Sequence, residues 1–473
     1  MNFNTKVGLF GIGLDTYWNQ FDGLLDNLKN YQEQIKTKIE GFGVEVVDAG
    51  MVDNPEKARV AAGLLKKSDV EIVFLYVSTY ALSSTVLPVA QKVKVPVVIL
   101  NLQPVPQLDY KSFNKLGDRG KMTGVWLEHC QACSVPEIAG VFNRSAIRYD
   151  FVTGYLQDEE TWHEVEAWAK AARVAHAMRN NRLGVLGHYY GGMLDVYTDL
   201  AKQSAAFGTH IELLEMCELK KYRGQVTRSE LDAKEEEFFS TFDVAEECEK
   251  QEIVRAAKTS VALDKLVAKR NLGSMAYYYE GEDGNEYENI ATSVIVGSTL
   301  LTGKNIPVAG ECEVKNAQAM KIMAEFGTGG SFSEFYLMDF HDDVLFLGHD
   351  GPAHFIIAEG KVKLVPLPIY HGKPGKGLSI QMTVKHGPVT LLSVVEGENG
   401  VFLLVAEGDS VPGPVLKIGN TNSRYRFSIG AKEFINQWSK QGPAHHCAIG
   451  IGHIADKIEK LGQILNLDVV KIC

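Results

Sequence analysis

Residues 70–100 read VEIVFLYVSTYALSSTVLPVAQKVKVPVVIL. Within them, Val70–Tyr76 and Val95–Leu100 are near-continuous apolar runs. A strand with one wet face alternates apolar and polar residues. Unbroken runs predict strands buried on both faces, in a parallel sheet covered by helices. Outward from this stretch the same grammar repeats. Val7–Ile12 is a short apolar run ending in glycines, and Val44–Val47 is β-branched and ends at Asp48–Gly50. Trp18–Ile39 has helical spacing, with Phe21, Leu24, Leu25, Leu28, Tyr31, Ile35 and Ile39 on one face. Asn54-Pro55 marks a helix start with proline at the first helical position. These strand–helix repeats predict a doubly wound α/β domain.

A second series begins near residue 180. Strands are expected at Arg182–Leu186, His210–Met216, Ser274–Tyr279 and Ile306–Ala309, and helices at Met193–Ala206, Glu247–Lys269 and Asn289–Leu301. Glu159–Met178 reads as a helix linking the two series. After about Phe326 the period changes. Val344–Leu347, Phe355–Ala358, Val362–Val365, Ser379–Val384, Val389–Val395 and Val401–Ala406 are short runs separated by Gly, Pro, Asn and Asp, as in antiparallel strands with tight turns. A helix at Gly452–Leu465 and a strand at Leu467–Ile472 close the chain. The expected organisation is two doubly wound, flavodoxin- or Rossmann-like α/β domains at 1–178 and 179–325. A mainly antiparallel, β-rich domain follows at 326–473.

Three domains suit 473 residues at roughly 150 residues per domain. Hydrophobic residues at 45% and charged residues at 23% exclude a disordered, collagen-like or coiled-coil chain. The net charge of −11, without a basic cluster, argues against a nucleic-acid partner. No segment approaches the roughly 20 apolar residues of a membrane helix. MNFNTKVGLFGIG reads as a first strand rather than a secretion signal. Seven scattered cysteines read as reduced thiols, so a cytoplasmic protein is expected. Cys130 and Cys133 form a lone CxxC, and a zinc ribbon would need a second pair.

Several common chemistries are missing. Gly11-Ile12-Gly13 lacks the third glycine of a dinucleotide fingerprint, and no Walker A or Gly-x-Ser-x-Gly sequence occurs. The informative stretch is 306–354, IPVAGECEVKNAQAMKIMAEFGTGGSFSEFYLMDFHDDVLFLGHDGPAH. Glu311 stands where an apolar run ends and a helix begins, and open α/β sheets bind ligands outside the carboxyl ends of their strands. Glu334 follows a Gly-Thr-Gly-Gly-Ser loop, and His349 follows the run Val344–Leu347. Gly442-Pro443-Ala444-His445-His446-Cys447 adds two imidazoles. Mixed carboxylate and imidazole ligands suit Mn²⁺, Fe²⁺, Co²⁺ or Zn²⁺. A helix cap, an ion pair or a solvated histidine turn would use the same residue types.

The motifs AGECE, KNAQAMKIM, GGSFSEFY, LFLGHD and GPAHHC, in this order, resemble the C-terminal half of bacterial L-arabinose isomerases, in the arabinose/fucose isomerase group. The resemblance implies a cytoplasmic aldose–ketose isomerase acting on a monosaccharide, assembled as a homotrimer or homohexamer. It implies Mn²⁺, or another divalent metal such as Co²⁺, Fe²⁺ or Zn²⁺, held by Glu311, Glu334, His349 and His446. Glu311 and Glu334 would be the acid/base pair, working through an enediol. Gln131, Tyr336 and His445 would face the sugar.

Two segments depart from the pattern. A Gly-Ser-Gln-His-Leu-Tyr-type segment of the family is replaced by Gly11-Ile-Gly-Leu-Asp-Thr-Tyr-Trp18. An Asn-Gln-Thr-Ala-His-type segment is replaced by Cys130-Gln131-Ala132-Cys133-Ser134, which keeps the glutamine and loses the histidine. The expected reaction is L-arabinose to L-ribulose, with D-galactose to D-tagatose beside it and L-fucose or D-arabinose as rival substrates. Tyr17-Trp18 and His188-Tyr189-Tyr190 offer either sugar-stacking surfaces or ordinary packing. In the rival class, a non-catalytic sugar-binding protein with two α/β lobes, no Glu/Glu/His/His set would be required.

Overall fold

The computed structural model describes residues 5–280, 284–370 and 373–473. The first four residues of the opening stretch lie outside them. The chain divides into two units, 1–176 with 463–465, and 177–462 with 466–473.

In the first unit a five-stranded parallel sheet has the spatial order Glu45–Val52, Lys6–Ile12, Val73–Val77, Val97–Gln103, Tyr149–Tyr155. The order reverses beside the first strand, as in doubly wound folds. Val73–Val77 is buried at every position, which is why its sequence shows no alternation. The helix expected from Trp18 begins instead at Leu24, because Gly23 takes a left-handed φ of 79° at the N-cap. Asp15–Tyr17 forms a separate 3-10 turn. Tyr17, Trp18 and Phe21 still pack against Leu24 and Leu28, so they continue the apolar pattern without being in the helix. Three helices, Tyr110–Asn114, Arg119–Glu128 and Ser134–Arg144, fill a region with no assignment from the sequence.

The second unit contains two principal sheets and, among the described residues, two small ones, Leu378–Gln381 with Lys363–Pro366 and Asp243–Val244, and Ile369–Tyr370 with Lys373–Pro374. Its parallel sheet has the order Val308–Ala309, Ser274–Tyr278, Arg182–Gly187, His210–Leu214. Two expected helices change. Met193–Ala206 is a 3-10 turn at Leu194–Val196 and then a helix at Leu200–Phe207, whose N–H groups at Ala201 and Lys202 are capped by the Asp199 carboxylate. Asn289–Leu301 is two helices, Glu286–Ala291 and Ile295–Gly303. Between them Thr292 and Ser293 turn their hydroxyls back onto the Glu288, Asn289 and Ile290 carbonyls, competing with the helical ladder.

The other principal sheet is seven-stranded and largely antiparallel. Its order is Gly387–Gly397, His446–Ile451, Gly329–Asp339, Val344–His349, Thr421–Arg426, Gly400–Val411, and Gly400–Val411 pairs back onto Gly387–Gly397. That pairing closes the six longer strands into a barrel-like domain. Val469–Lys471 adds in parallel to Gly400–Val411. Leu345, Leu347, Val389, Leu391, Leu404 and Ile449 are in its buried core. Phe355–Ala358, expected as a strand, holds a 3-10 turn at Phe355–Ile357. The architecture is thus α/β with two doubly wound parallel sheets and a C-terminal antiparallel β-domain. No helix among the described residues is long and apolar enough to cross a membrane.

Candidate active site

Glu311 lies in the turn Gly310–Cys312, immediately after the Val308–Ala309 strand. Glu311 and Cys312 have φ of 53° and 59°, two consecutive left-handed residues that are not glycine. Each such conformation costs about 1–2 kcal/mol and persists where the surroundings impose it. Here Cys312 is fully buried, and the Tyr190 N–H donates to the Glu311 carbonyl.

The remaining candidates come from neighbouring barrel strands. Glu334 lies directly opposite His446 on one side and Gly348 on the other. His349 ends the Val344–His349 strand beside Thr421. Two glycines permit this approach. A Cβ on Gly348 would lie 1.8 Å from the Thr421 carbonyl oxygen. One on Gly330, at φ of 104°, would lie 2.8 Å from the Met320 carbonyl oxygen.

These side chains converge. Glu311 Oε1 is 3.9 Å from His349 Nε2, and Glu311 Oε2 is 3.5 Å from His446 Nε2. His445 Nε2 is 3.6 Å from Glu311 Oε2 and 3.9 Å from Glu334 Oε2. Metal-ligating atoms of Glu311, His349 and His446 lie within 4.8 Å of one another, as do those of Glu334, His445 and His446. Phe332, fully buried, packs its ring 4.5 Å from His349 and 4.3 Å from His446.

The donor set fits a divalent cation. His446 Nδ1 is 2.6 Å from Glu313 Oε2, with both side chains buried. A carboxylate there takes the Nδ1 proton as a hydrogen bond, which leaves the Nε2 lone pair facing Glu311. Glu311 Oε2 and His446 Nε2 are buried and have no hydrogen-bond partner among the described residues. Two buried acceptors facing each other are unfavourable until a shared cation satisfies both.

His445 and Tyr336 border this cluster. Burial favours the neutral His445 ring, but the nearby Glu311 carboxylate and the hydrogen-bonded Asp195 carboxylate outweigh it and push the pKa up to about 9. Burial, then the Glu334 and Asp350 carboxylates, holds the Tyr336 phenol protonated. Its oxygen accepts a 2.8 Å hydrogen bond from Asn420 Nδ2.

Gln131 belongs to the first unit. Its side chain is fully buried, and its amide nitrogen donates to the Ser78 and Glu128 carbonyls at 3.0 and 2.7 Å. The aromatic turns pack locally. Trp18 Nε1 donates to Asp53 at 2.8 Å, and the Tyr190 ring lies 4.8 Å from that of Tyr278. Cys130 and Cys133 have sulfurs 2.8 Å apart. Neither cysteine is in the metal-type clusters found among the described residues.

Sequence reasoning missed Glu313, Phe332 and Asp195. Glu313 had a faint signal, a second acid two residues from Glu311. Asp195 had none, because its segment reads as helix.

No protein-family model matches the chain. The chain is similar to curated sugar isomerases. An L-arabinose isomerase of Nocardioides sp. (strain ATCC BAA-499 / JS614) is 24% identical over 357 residues, covering 70% of this chain and 68% of the relative. A sulfoquinovose isomerase of Alkalicoccus urumqiensis is 21% identical over 336 residues, covering 68% and 72%. An L-arabinose isomerase of Bacteroides thetaiotaomicron is 21% identical over 367 residues, covering 71% and 69%. The relatives are thus named as sugar isomerases.

Proposed function

We propose that this chain, a relative of sugar isomerases, interconverts an aldose and its ketose at the cluster of Glu311, Glu334, His349 and His446. In this reading those four residues hold a divalent metal, Mn²⁺ foremost, with Co²⁺, Fe²⁺ or Zn²⁺ as alternatives. The observation that carries the reading is the facing pair of buried acceptors, Glu311 Oε2 and His446 Nε2, 3.5 Å apart. A bound divalent cation would hold two sugar oxygens and polarise the carbonyl.

The protein's own groups handle the protons. One carboxylate of the Glu311/Glu334 pair removes the proton from C2 and the C1=C2 bond forms, while the other, as the carboxylic acid, gives its proton to O1, yielding a cis-enediol. O2 then gives its proton back to that second carboxylate, the C2=O2 bond forms, and the first carboxylic acid returns its proton to C1. The His445 Nε2 and the protonated Tyr336 hydroxyl border this pair and can orient sugar hydroxyls. Gln131, expected from the resemblance to face the sugar, has its side chain fully buried within the first unit and takes no part in the proposed site.

L-arabinose to L-ribulose is the first choice of reaction, and D-galactose to D-tagatose the second. L-fucose and D-arabinose are the remaining rivals. Metal chelation needs only O1 and O2 of an open-chain sugar, so preference must arise at C3 to C5. A wrong epimer that leaves one buried polar group unpaired costs about 1–3 kcal/mol. The reading includes a cytoplasmic homotrimer or homohexamer, on the resemblance.

The test is a panel of pentoses and hexoses, with sulfoquinovose included, assayed with Mn²⁺ and scored by kcat/KM. Interconversion of L-arabinose above the others supports the reading. Activity confined to another sugar corrects only the substrate, and activity on none overturns the isomerase.

A further inference from the structure

We propose that Asp195 is a positioning residue for His445. The inference rests on the isomerase reading of the site. Asp195 Oδ2 accepts two hydrogen bonds from one residue, the His445 backbone N–H at 3.0 Å and its Nδ1 at 2.6 Å. The first fixes the main chain and the second fixes the rotation of the ring. With Nδ1 committed in this way, Nε2 faces both carboxylates of the acid/base pair, 3.6 Å from Glu311 and 3.9 Å from Glu334. The ring also lies against that of His446, with centroids 3.8 Å apart.

Asp195 is itself held. It sits in the middle of the 3-10 turn Leu194–Val196, anchored by the fully buried Val196. Lys315, buried in the first turn of the helix Val314–Glu325, donates its ammonium to the Asp195 carbonyl. That helix follows Glu311 directly, and the Tyr190 N–H of the same loop donates to the Glu311 carbonyl. The loop that orients His445 is therefore tied to the segment that carries Glu311.

Magnitude decides between orientation and stability as the role. The side chains of Asp195 and His445 are 40% and 36% exposed. Ion pairs this accessible contribute only about 0–1 kcal/mol to folding. A misplacement of about 1 Å at a reacting group, in contrast, can lower turnover about 100-fold.

The experiment uses the Mn²⁺-loaded full chain with Asp195→Ala, Asp195→Asn, His445→Ala and the Asp195→Ala/His445→Ala double variant. Asp195→Ala is expected to lower kcat about 10- to 100-fold with little change in KM. Asp195→Asn, which keeps a neutral acceptor, recovers most of the loss. The double variant is expected to be no slower than His445→Ala, since Asp195 acts through that ring. Multiplying losses in the double variant, or unchanged kcat in either single alanine variant, would overturn the proposal. The crystal structure of Asp195→Ala is the second readout. A rotated His445 ring is expected, and a ring held in place overturns the proposal. If the wild-type chain turns over no aldose, the isomerase reading fails, and the crystal structure alone decides whether Asp195 orients His445.

Discussion

His446 Nδ1 and Glu313 Oε2 are 2.6 Å apart, with both side chains buried. The Glu313 carboxylate fixes the tautomer and orientation of the ring that points at Glu311. Outer partners of this kind are worth about 10- to 100-fold in metal affinity. Glu313→Gln is accordingly expected to weaken Mn²⁺ binding by that factor, read by calorimetric titration of the metal-stripped protein. An unchanged dissociation constant would remove Glu313 from the account.

The carboxylate pair is expected to be indispensable. Glu311→Gln and Glu334→Gln keep side-chain shape and remove a base and a negative charge. Each should lower turnover about 10²- to 10⁴-fold while the circular dichroism spectrum stays that of the wild type. Near wild-type turnover at saturating Mn²⁺ in either variant would show that its residue is not the acid/base.

Metal removal should cost stability as well as activity. A ligand that binds only the folded state stabilises it by about 2.7 kcal/mol at 100 times its dissociation constant. Chelation is therefore expected to lower Tm, and added Mn²⁺ to raise it with concentration. His446→Ala should abolish the response. A Tm insensitive to chelator and to Mn²⁺ would contradict a metal held by this cluster.

Gly348→Ala tests the approach of strands behind the site. Its Cβ would lie 1.8 Å from the Thr421 carbonyl oxygen, whereas a Cβ on Gly63 meets nothing within 4 Å. Backbone cannot yield as a flexible side chain does. Gly348→Ala should cost at least about 1–3 kcal/mol. Gly63→Ala, inside the helix Pro55–Ser68, should be neutral or stabilising. Equal Tm values for the two variants would contradict this packing.

How much the sequence reveals depends on how local the cause is. Val73–Val77 reads as a buried strand because both its faces are covered, a property written in the run itself. The segment Met193–Ala206 misleads because Met193, Val196, Tyr197 and Leu200 stand at helical spacing, although Tyr197 is 38% exposed. His446 lies in a glycine- and proline-containing stretch that suggests a turn. It becomes the start of a strand through pairing with Gly329–Asp339 and Gly387–Gly397, far away in the chain. Glu311, Glu334, His349 and His446 stand out because each sits in a distinct local motif. The partners Glu313 and Asp195 do not, since their roles exist only once histidines 133 and 250 residues later arrive.

The most direct test of the central claim is an anomalous-scattering map collected at the Mn edge from crystals grown with Mn²⁺. The account predicts one peak within about 2–2.5 Å of donor atoms from Glu311, Glu334, His349 and His446 together. No peak at that position, or a structure with Glu311 and Glu334 more than about 8 Å apart, well beyond the span of one shared ion, would contradict it.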